Sequence, residues 1–267
     1  LSKSPITGII SLTGSVGAGQ KIMSAAAENI TKVSLELGGK APAIVCADAN
    51  LDLALNSIVA SKVIFSGQVC NCAERVYVED SIYDEFVEKL TKKMSDVTIE
   101  DALTGTNADM SSLVSKAQID KISEMVEFAK KEGAEVLVGG KRPEKFDRGY
   151  YYEPTLLTNV SQQSEIIQEE VFGPVLPVMK FDTLDEAIAL SNDCQFGLTS
   201  SIFSENYNNI MRATNGLHFG ETYVNREHFE AIQGFHAGWK KSGVGGADGK
   251  HGMEEYLHTR VVYAKYY

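Results

Sequence analysis

Short apolar runs and longer amphipathic stretches alternate along almost the whole chain. Residues 8–13 (GIISLT) read as a strand that runs into a glycine-rich turn, 14–19, with a helix over 20–29. Val33, Leu35 and Leu37 alternate with Ser34 and Glu36, the period-two signature of a strand, with Glu36 on the face opposite the apolar residues. Residues 42–46 form another short apolar run, and 51–65 carry apolar residues at 51, 55, 58, 59 and 63, a helical stripe. A strand is predicted over 75–79, an amphipathic helix over 82–94 behind a Ser81 N-cap, and a long helix over 113–131 closed by Gly133. Then follow a strand over 134–138, an extended stretch over 151–157 around Pro154, a strand over 175–181 and a helix over 184–192 behind Thr183. A strand over 199–203, a helix over 206–215 and a strand over 220–225 complete the series. Such alternation predicts an α/β fold with a doubly wound, mostly parallel sheet, its helices on both faces.

The texture changes over 226–252, where glycine and histidine are dense and no periodicity holds. A loop of that length is more often functional than a plain connector. Residues 253–267 then close the chain with Leu257, Val261, Val262, Tyr263 and Tyr266, a candidate terminal strand with apolar side chains on both faces. The nearest feature to a domain boundary is Gly38-Gly39, with a return near 239–252.

Composition narrows the function classes. The 267 residues can bury one large core or two ordinary ones. A net charge of −11 leaves no basic excess to neutralise phosphates, which argues against a nucleic-acid partner. No apolar run approaches the ~18 residues of a membrane span, and no basic-then-apolar leader opens the chain. The first residue is Leu, and a strand-like run follows almost at once, so the chain reads as cut from a larger protein. Four cysteines (Cys46, Cys70, Cys72, Cys194) in this length are no disulfide framework and point to a reducing cytoplasm.

Three stretches could carry chemistry. Cys70 stands in Gly67-Gln68-Val69-Cys70-Asn71-Cys72. Structural zinc needs four ligands, no second cluster exists, and no metal site is expected. A packed thiol and a reactive nucleophile both remain open for Cys70, the second needing help from its surroundings to ionise. Glu36 ends its strand just before Gly38-Gly39-Lys40, where two glycines let another group approach the backbone. Gly14-Ser15-Val16-Gly17-Ala18-Gly19 lies between strand and helix, a place suited to phosphate at a helix N-terminus. Its order is not that of the dinucleotide fingerprint. Glu36, 22 residues after Gly14, fits either the ribose-binding acid of that fingerprint or a catalytic carboxylate; spacing does not separate them.

Taken together, Leu12-Thr13-Gly14-Ser15-Val16-Gly17-Ala18-Gly19, Leu35-Glu36-Leu37-Gly38-Gly39-Lys40 and Gly67-Gln68-Val69-Cys70 resemble the aldehyde dehydrogenase superfamily in order and spacing. Glu169-Glu170-Val171-Phe172-Gly173-Pro174-Val175 and Lys241-Ser242-Gly243 add two further matches, so the resemblance spans nearly the whole chain. Residues 70–75 and 230–236 are most similar to the branch that oxidises short hydroxyaldehydes such as lactaldehyde. The resemblance implies NAD or NADP as cofactor, NAD being favoured, and an aldehyde substrate. It implies Cys70 as nucleophile and Glu36 as general base. Gly14, Ser15, Leu37, Glu170 and Phe172 are implied against the cofactor, and Cys72 as a bystander. Asn71, Glu230 and His236 are candidates to bind a substrate hydroxyl.

It further implies a division into 1–38, the end of an NAD(P)-binding domain; 39–240, a catalytic domain; and 241–267, a return segment with an oligomerisation strand that extends a partner's sheet in a dimer or tetramer. Superfamily members run to nearly twice this length, and the upstream part holds the Asn that completes the oxyanion hole. Asp109-Met110-Ser111-Ser112 departs from the Gly-Pro usual after that Met. A truncated, non-catalytic paralogue that keeps the fold is the rival expectation.

Overall fold

The computed structural model describes residues 1–104, 107–226 and 228–267. From the amino end, β1 (Ile9–Thr13), α1 (Val16–Ala26) and β2 (Lys32–Glu36) lead into β3 (Ala41–Val45), α2 (Leu51–Val63), β4 (Ala73–Glu79) and α3 (Tyr83–Ser95). After α4 (Lys116–Lys131) come β5 (Glu135–Val138), β6 (Thr155–Thr158), the short α5 (Glu165–Gln168), β7 (Val175–Phe181) and α6 (Leu184–Asn192). The chain continues through β8 (Phe196–Gly197), β9 (Thr199–Phe203), α7 (Tyr207–Gly216), β10 (Glu221–Val224), β11 (Trp239–Lys240), β12 (Gly243–Val244) and α8 (Gly249–Glu254).

A seven-stranded sheet in the order β10-β9-β3-β4-β7-β6-β5 dominates the molecule. Every pairing in it is parallel except that of β5 with β6. Both faces are covered, as the strand–helix alternation requires. In β4, Val76 and Val78 pack with Leu55 and Ile58 of α2 and Phe86 and Leu90 of α3, while Tyr77 between them joins Ala187 of α6 and Ala213 of α7. A third cluster seats Ile119, Ile122 and Val126 of α4 against Leu157 and Val175. The doubly wound, mostly parallel α/β sheet is thus observed. Separately, β1 and β2 pair in parallel and β12 joins β2 antiparallel, so Gly243 lies opposite Glu36.

Several ends differ from the sequence reading. Helix α1 begins at Val16, inside the glycine-rich stretch, because Ser15 adopts an extended conformation and its Oγ caps the Ala18 amide. Gly19 is therefore helical, and a Cβ there would come within 2.7 Å of the Leu37 side chain. Ser81 is no N-cap: 80–82 form a 3-10 turn, and α3 starts at Tyr83 with Asp84 and Glu85 in its first turn. Ser115, not a residue near 113, caps α4 through the Gln118 amide. The helix over 51–65 stops at Val63, since Phe65 and Ser66 turn left-handed. Of the stretch 151–157, only 155–157 lie in a strand.

The start of the terminal segment is corrected as well. Met253 and Glu254 end α8, and residues 258–267 pair with no strand of this chain; Val261, Val262, Tyr263 and Tyr266 are exposed. That segment closes no sheet of its own chain.

Candidate active site

A parallel sheet places the amino ends of its strands along one edge, and the loops entering those ends meet there. Gly39 precedes β3, Cys70 precedes β4, 170–173 precede β7, and Glu221 opens β10. Glu36 reaches the same place from the carboxyl end of β2. The loops fit only because glycine stands at the crossings. A Cβ on Gly39 would overlap the Cys70 carbonyl oxygen, one on Gly38 would lie 2.6 Å from Glu170 Oε2, and one on Gly67 would overlap the Gly173 carbonyl. The glycines of the 35–40 stretch are thus explained by Cys70 and Glu170, far apart in sequence.

Between these loops lies a cavity of about 570 Å³, lined by Gly14, Ser15, Leu37, Cys70, Glu170 and Phe172 among others. All five residues expected against a cofactor share it with the expected nucleophile. Phe65, Ser66 and Phe172 around it hold positive φ (45°, 58° and 56°), a conformation that costs a non-glycine residue about 1–3 kcal/mol. Glu170 Oε1 accepts from the Gly39 amide at 2.8 Å. Burial pushes the Glu170 carboxyl up to about 7; the Gly39 amide and Lys121 oppose the shift and Glu74 adds to it.

Glu36, Asn71, Glu230 and His236 do not line that cavity; they lie about Cys70 and beyond it. The imidazole of His236 stands beside the Cys70 thiol, its Nδ1 lies 2.6 Å from Glu221 Oε1, and its Nε2 faces Glu36 Oε2 at 3.7 Å. Its interactions with Cys70 and Glu221 push His236 up to about 11 against its burial. Both Glu36 oxygens are buried without a hydrogen-bond partner among the described residues; the Ala247 amide nearby is spent on the His236 carbonyl at 2.7 Å. Burial pushes the Glu36 carboxyl up to about 7. Asn71 Nδ2 donates to Glu230 Oε2, so this candidate pair is brought together, with the Asn71 carbonyl held by Thr199 Oγ1 at 2.9 Å.

Two features escape a sequence reading. Glu221 is one; it opens an edge strand with no local mark. The other is a buried ionic hub behind the cavity. Glu74 accepts from Lys40 Nζ and Lys62 Nζ at 2.9 Å each and from the Val171 amide at 3.0 Å. Arg75, fully buried, donates to the carbonyls of Lys40, Leu190 and Ser191. Cys72 is also buried, its thiol pushed up to about 11 by burial and directed at the Gly67 carbonyl.

The arrangement places a thiol between a mainly apolar cavity on one side and a buried carboxylate on the other. A nicotinamide dinucleotide suits the cavity's lining: Ser15 at the start of α1, next to Gly14 whose amide is bonded to the Glu36 carbonyl, can meet a phosphate, the Glu170 carboxylate can accept from a ribose hydroxyl, and Leu37 with Phe172 can meet an aromatic ring.

Comparison with known proteins agrees with this geometry. Lactaldehyde dehydrogenase of Escherichia coli (strain K12) is 57% identical over 263 residues, covering 98% of this chain and 54% of that protein. Its crystal structure superposes with a TM-score of 0.97, covering 99% of this chain and 55% of the other. D-glyceraldehyde dehydrogenase (NADP(+)) of Picrophilus torridus is 41% identical, covering 97% of this chain and 52% of that protein. Betaine aldehyde dehydrogenase of Staphylococcus aureus, solved in complex with NAD+, is 37% identical with a TM-score of 0.93, over 96% of this chain and 51% of that one. The chain therefore spans about half the length of the curated relatives it matches. The model of the aldehyde dehydrogenase family matches residues 1–262. With the fold, the converging loops and these likenesses in agreement, the chain belongs to the aldehyde dehydrogenase family.

Proposed function

We propose that this chain carries the nucleophile and general base of an NAD(P)-dependent oxidation of a short hydroxyaldehyde, of the lactaldehyde or glycolaldehyde type, to its carboxylic acid. The observation that carries the reading is the position of Cys70: of the four cysteines it alone lines the cavity, and His236 links it to Glu36. The Cys70 thiolate adds to the aldehyde carbon and forms a thiohemiacetal, whose oxyanion the Cys70 amide can help to hold. A bound nicotinamide cofactor supplies the two-electron acceptor that leaves a thioester on Cys70. Gly14, Ser15, Leu37, Glu170 and Phe172 would hold that cofactor, with NAD favoured in a cytoplasmic enzyme. Glu36 then takes a proton from water as it attacks the thioester, the C–S bond breaks, and the acid leaves. A carboxyl poised near 7 suits a base at neutral pH.

Asn71, Glu230 and His236 form the substrate side, where they can bond the hydroxyl that distinguishes lactaldehyde from propanal. A site built around such bonds rejects an analogue without the hydroxyl, because its buried polar groups are left unpaired. The test is the ratio of kcat/KM for lactaldehyde over propanal. A Glu230→Ala, His236→Ala double variant should lower it by roughly tenfold or more. An unchanged ratio contradicts the hydroxyl reading, and no aldehyde-dependent formation of NAD(P)H in the native protein contradicts the activity.

A further inference from the structure

Glu221 belongs to none of the roles above, yet it organises the deepest part of the site. Its Oε1 lies 2.6 Å from His236 Nδ1, and its Oε2 accepts from the Tyr223 hydroxyl. The backbone of His236 is clamped in turn: its amide donates to Ala247 at 3.0 Å and its carbonyl accepts from Ala247 at 2.7 Å. The imidazole thus has one nitrogen committed to Glu221 and the other turned toward Glu36. The side chains of the three residues are 10–15% exposed. Glu36 is faced by His236, by the carboxylates of Glu221 and Asp248, and by the Ala247 amide; His236 is faced by Cys70, Glu221 and Glu36.

We propose that Glu221 and His236 are a positioning pair: Glu221 fixes His236 as an imidazolium, and this charge, 3.7 Å from Glu36 Oε2, keeps the buried carboxylate ionised beside Cys70. The proposal rests on the reading of Cys70 as nucleophile and Glu36 as base. A buried carboxylate with no hydrogen bond reverts to the neutral acid unless an opposite charge stands close. Here the two other carboxylates facing Glu36 disfavour its ionisation, and His236 is the cation that opposes them. At 3.7 Å the imidazolium stabilises the charge without occupying the oxygens. They stay free to take the proton of the attacking water. A neutral imidazole could not do this, which is the reason for Glu221 behind it.

The test needs no cofactor and no substrate hydroxyl. 4-Nitrophenyl acetate acylates a thiolate directly: sulfur bonds to the acetyl carbon, nitrophenolate leaves, and water then releases acetate and restores the thiol. In the protein at its full native length, the burst of nitrophenolate reads acylation, and the steady state reads deacylation. The acid limb of the steady-state rate should fall near pH 7 in the native protein. With His236→Gln it should rise by about one pH unit or more. Adding Glu221→Gln should bring it part of the way back, since an unpartnered carboxylate also disfavours ionised Glu36. Asp248→Asn, which removes a carboxylate that faces Glu36, should move it down. Should the His236 variant not fold, 15N resonances of His236 in the native protein keep the claim open to refutation: both ring nitrogens should be protonated at pH 8. An acid limb that does not rise with His236→Gln, or a neutral His236 at pH 8, overturns the proposal alone. Absence of any burst in the native protein overturns the Cys70 reading and this proposal with it.

Discussion

Cys70 and Cys72 stand two positions apart, and their surroundings divide them. Cys72 is sealed beneath the loop with its thiol pushed up to about 11 by burial; Cys46 is sealed too, pushed up to about 12 by burial with Asp48 and Glu79 adding to it. Cys194 accepts from Arg75 Nη2 at 3.1 Å and donates to the Phe196 carbonyl. Cys70 lines the cavity and touches the His236 imidazole. Iodoacetamide at pH 7.5 should therefore label Cys70 at least about tenfold faster than the other three, as peptide mass mapping over time will report. Equal labelling in the folded protein would contradict a distinct thiol. At this scale the short motifs around Glu36 and Cys70 single out two residues that the fold brings to either side of His236. It was silent on Glu221, whose partner lies 15 residues on across a loop without periodicity.

Among the elements, strands and helices were legible because their apolar periods match buried faces, and their ends were not. An end is set by which cap has its hydrogen bond made. Ser15, Ser115 and Thr183 make theirs, and Ser81 does not. The pair Glu74-Arg75 reads in sequence as two ordinary charges, because burial of β4 on both sides is a property of the assembled sheet. Burial alone would push the Glu74 carboxyl up, but the Lys40 and Lys62 ammonium groups on it hold it at about 2. Its folded value is below the ordinary 4.5, so the stabilisation is present above pH 4.5 and is lost as pH falls toward 2. Glu74→Gln leaves two buried ammonium groups without their counter-charge and should cost about 3–5 kcal/mol at pH 7. Urea unfolding at pH 7 and pH 3 checks this: the gap between native and variant should narrow at pH 3. A gap that is absent, or equal at both pH values, contradicts the hub.

Over the whole molecule, the parallel sheet brings four distant segments to one edge, and alternation of strand and helix predicts that much. It does not predict what covers the exposed end of the chain. Val261, Val262, Tyr263 and Tyr266 stand exposed, and the expectation carried by the family likeness is that a partner subunit's sheet receives them. We therefore expect the native protein to be a dimer or tetramer, and deletion of residues 257–267 to give monomers or aggregates in sedimentation velocity; an unchanged oligomer would place the interface elsewhere. The central claim is that one protein holds both an acylating thiol and a separate deacylating base. Glu36→Gln tests it most directly, because it removes the base and leaves the thiol. Mixed with NAD+ and lactaldehyde, the variant should release one equivalent of NADH per site in a burst, then turn over slowly. Mass spectrometry of the quenched protein should find the acyl group on the peptide containing Cys70. No burst, or an acyl group on any other residue while turnover persists, would contradict it.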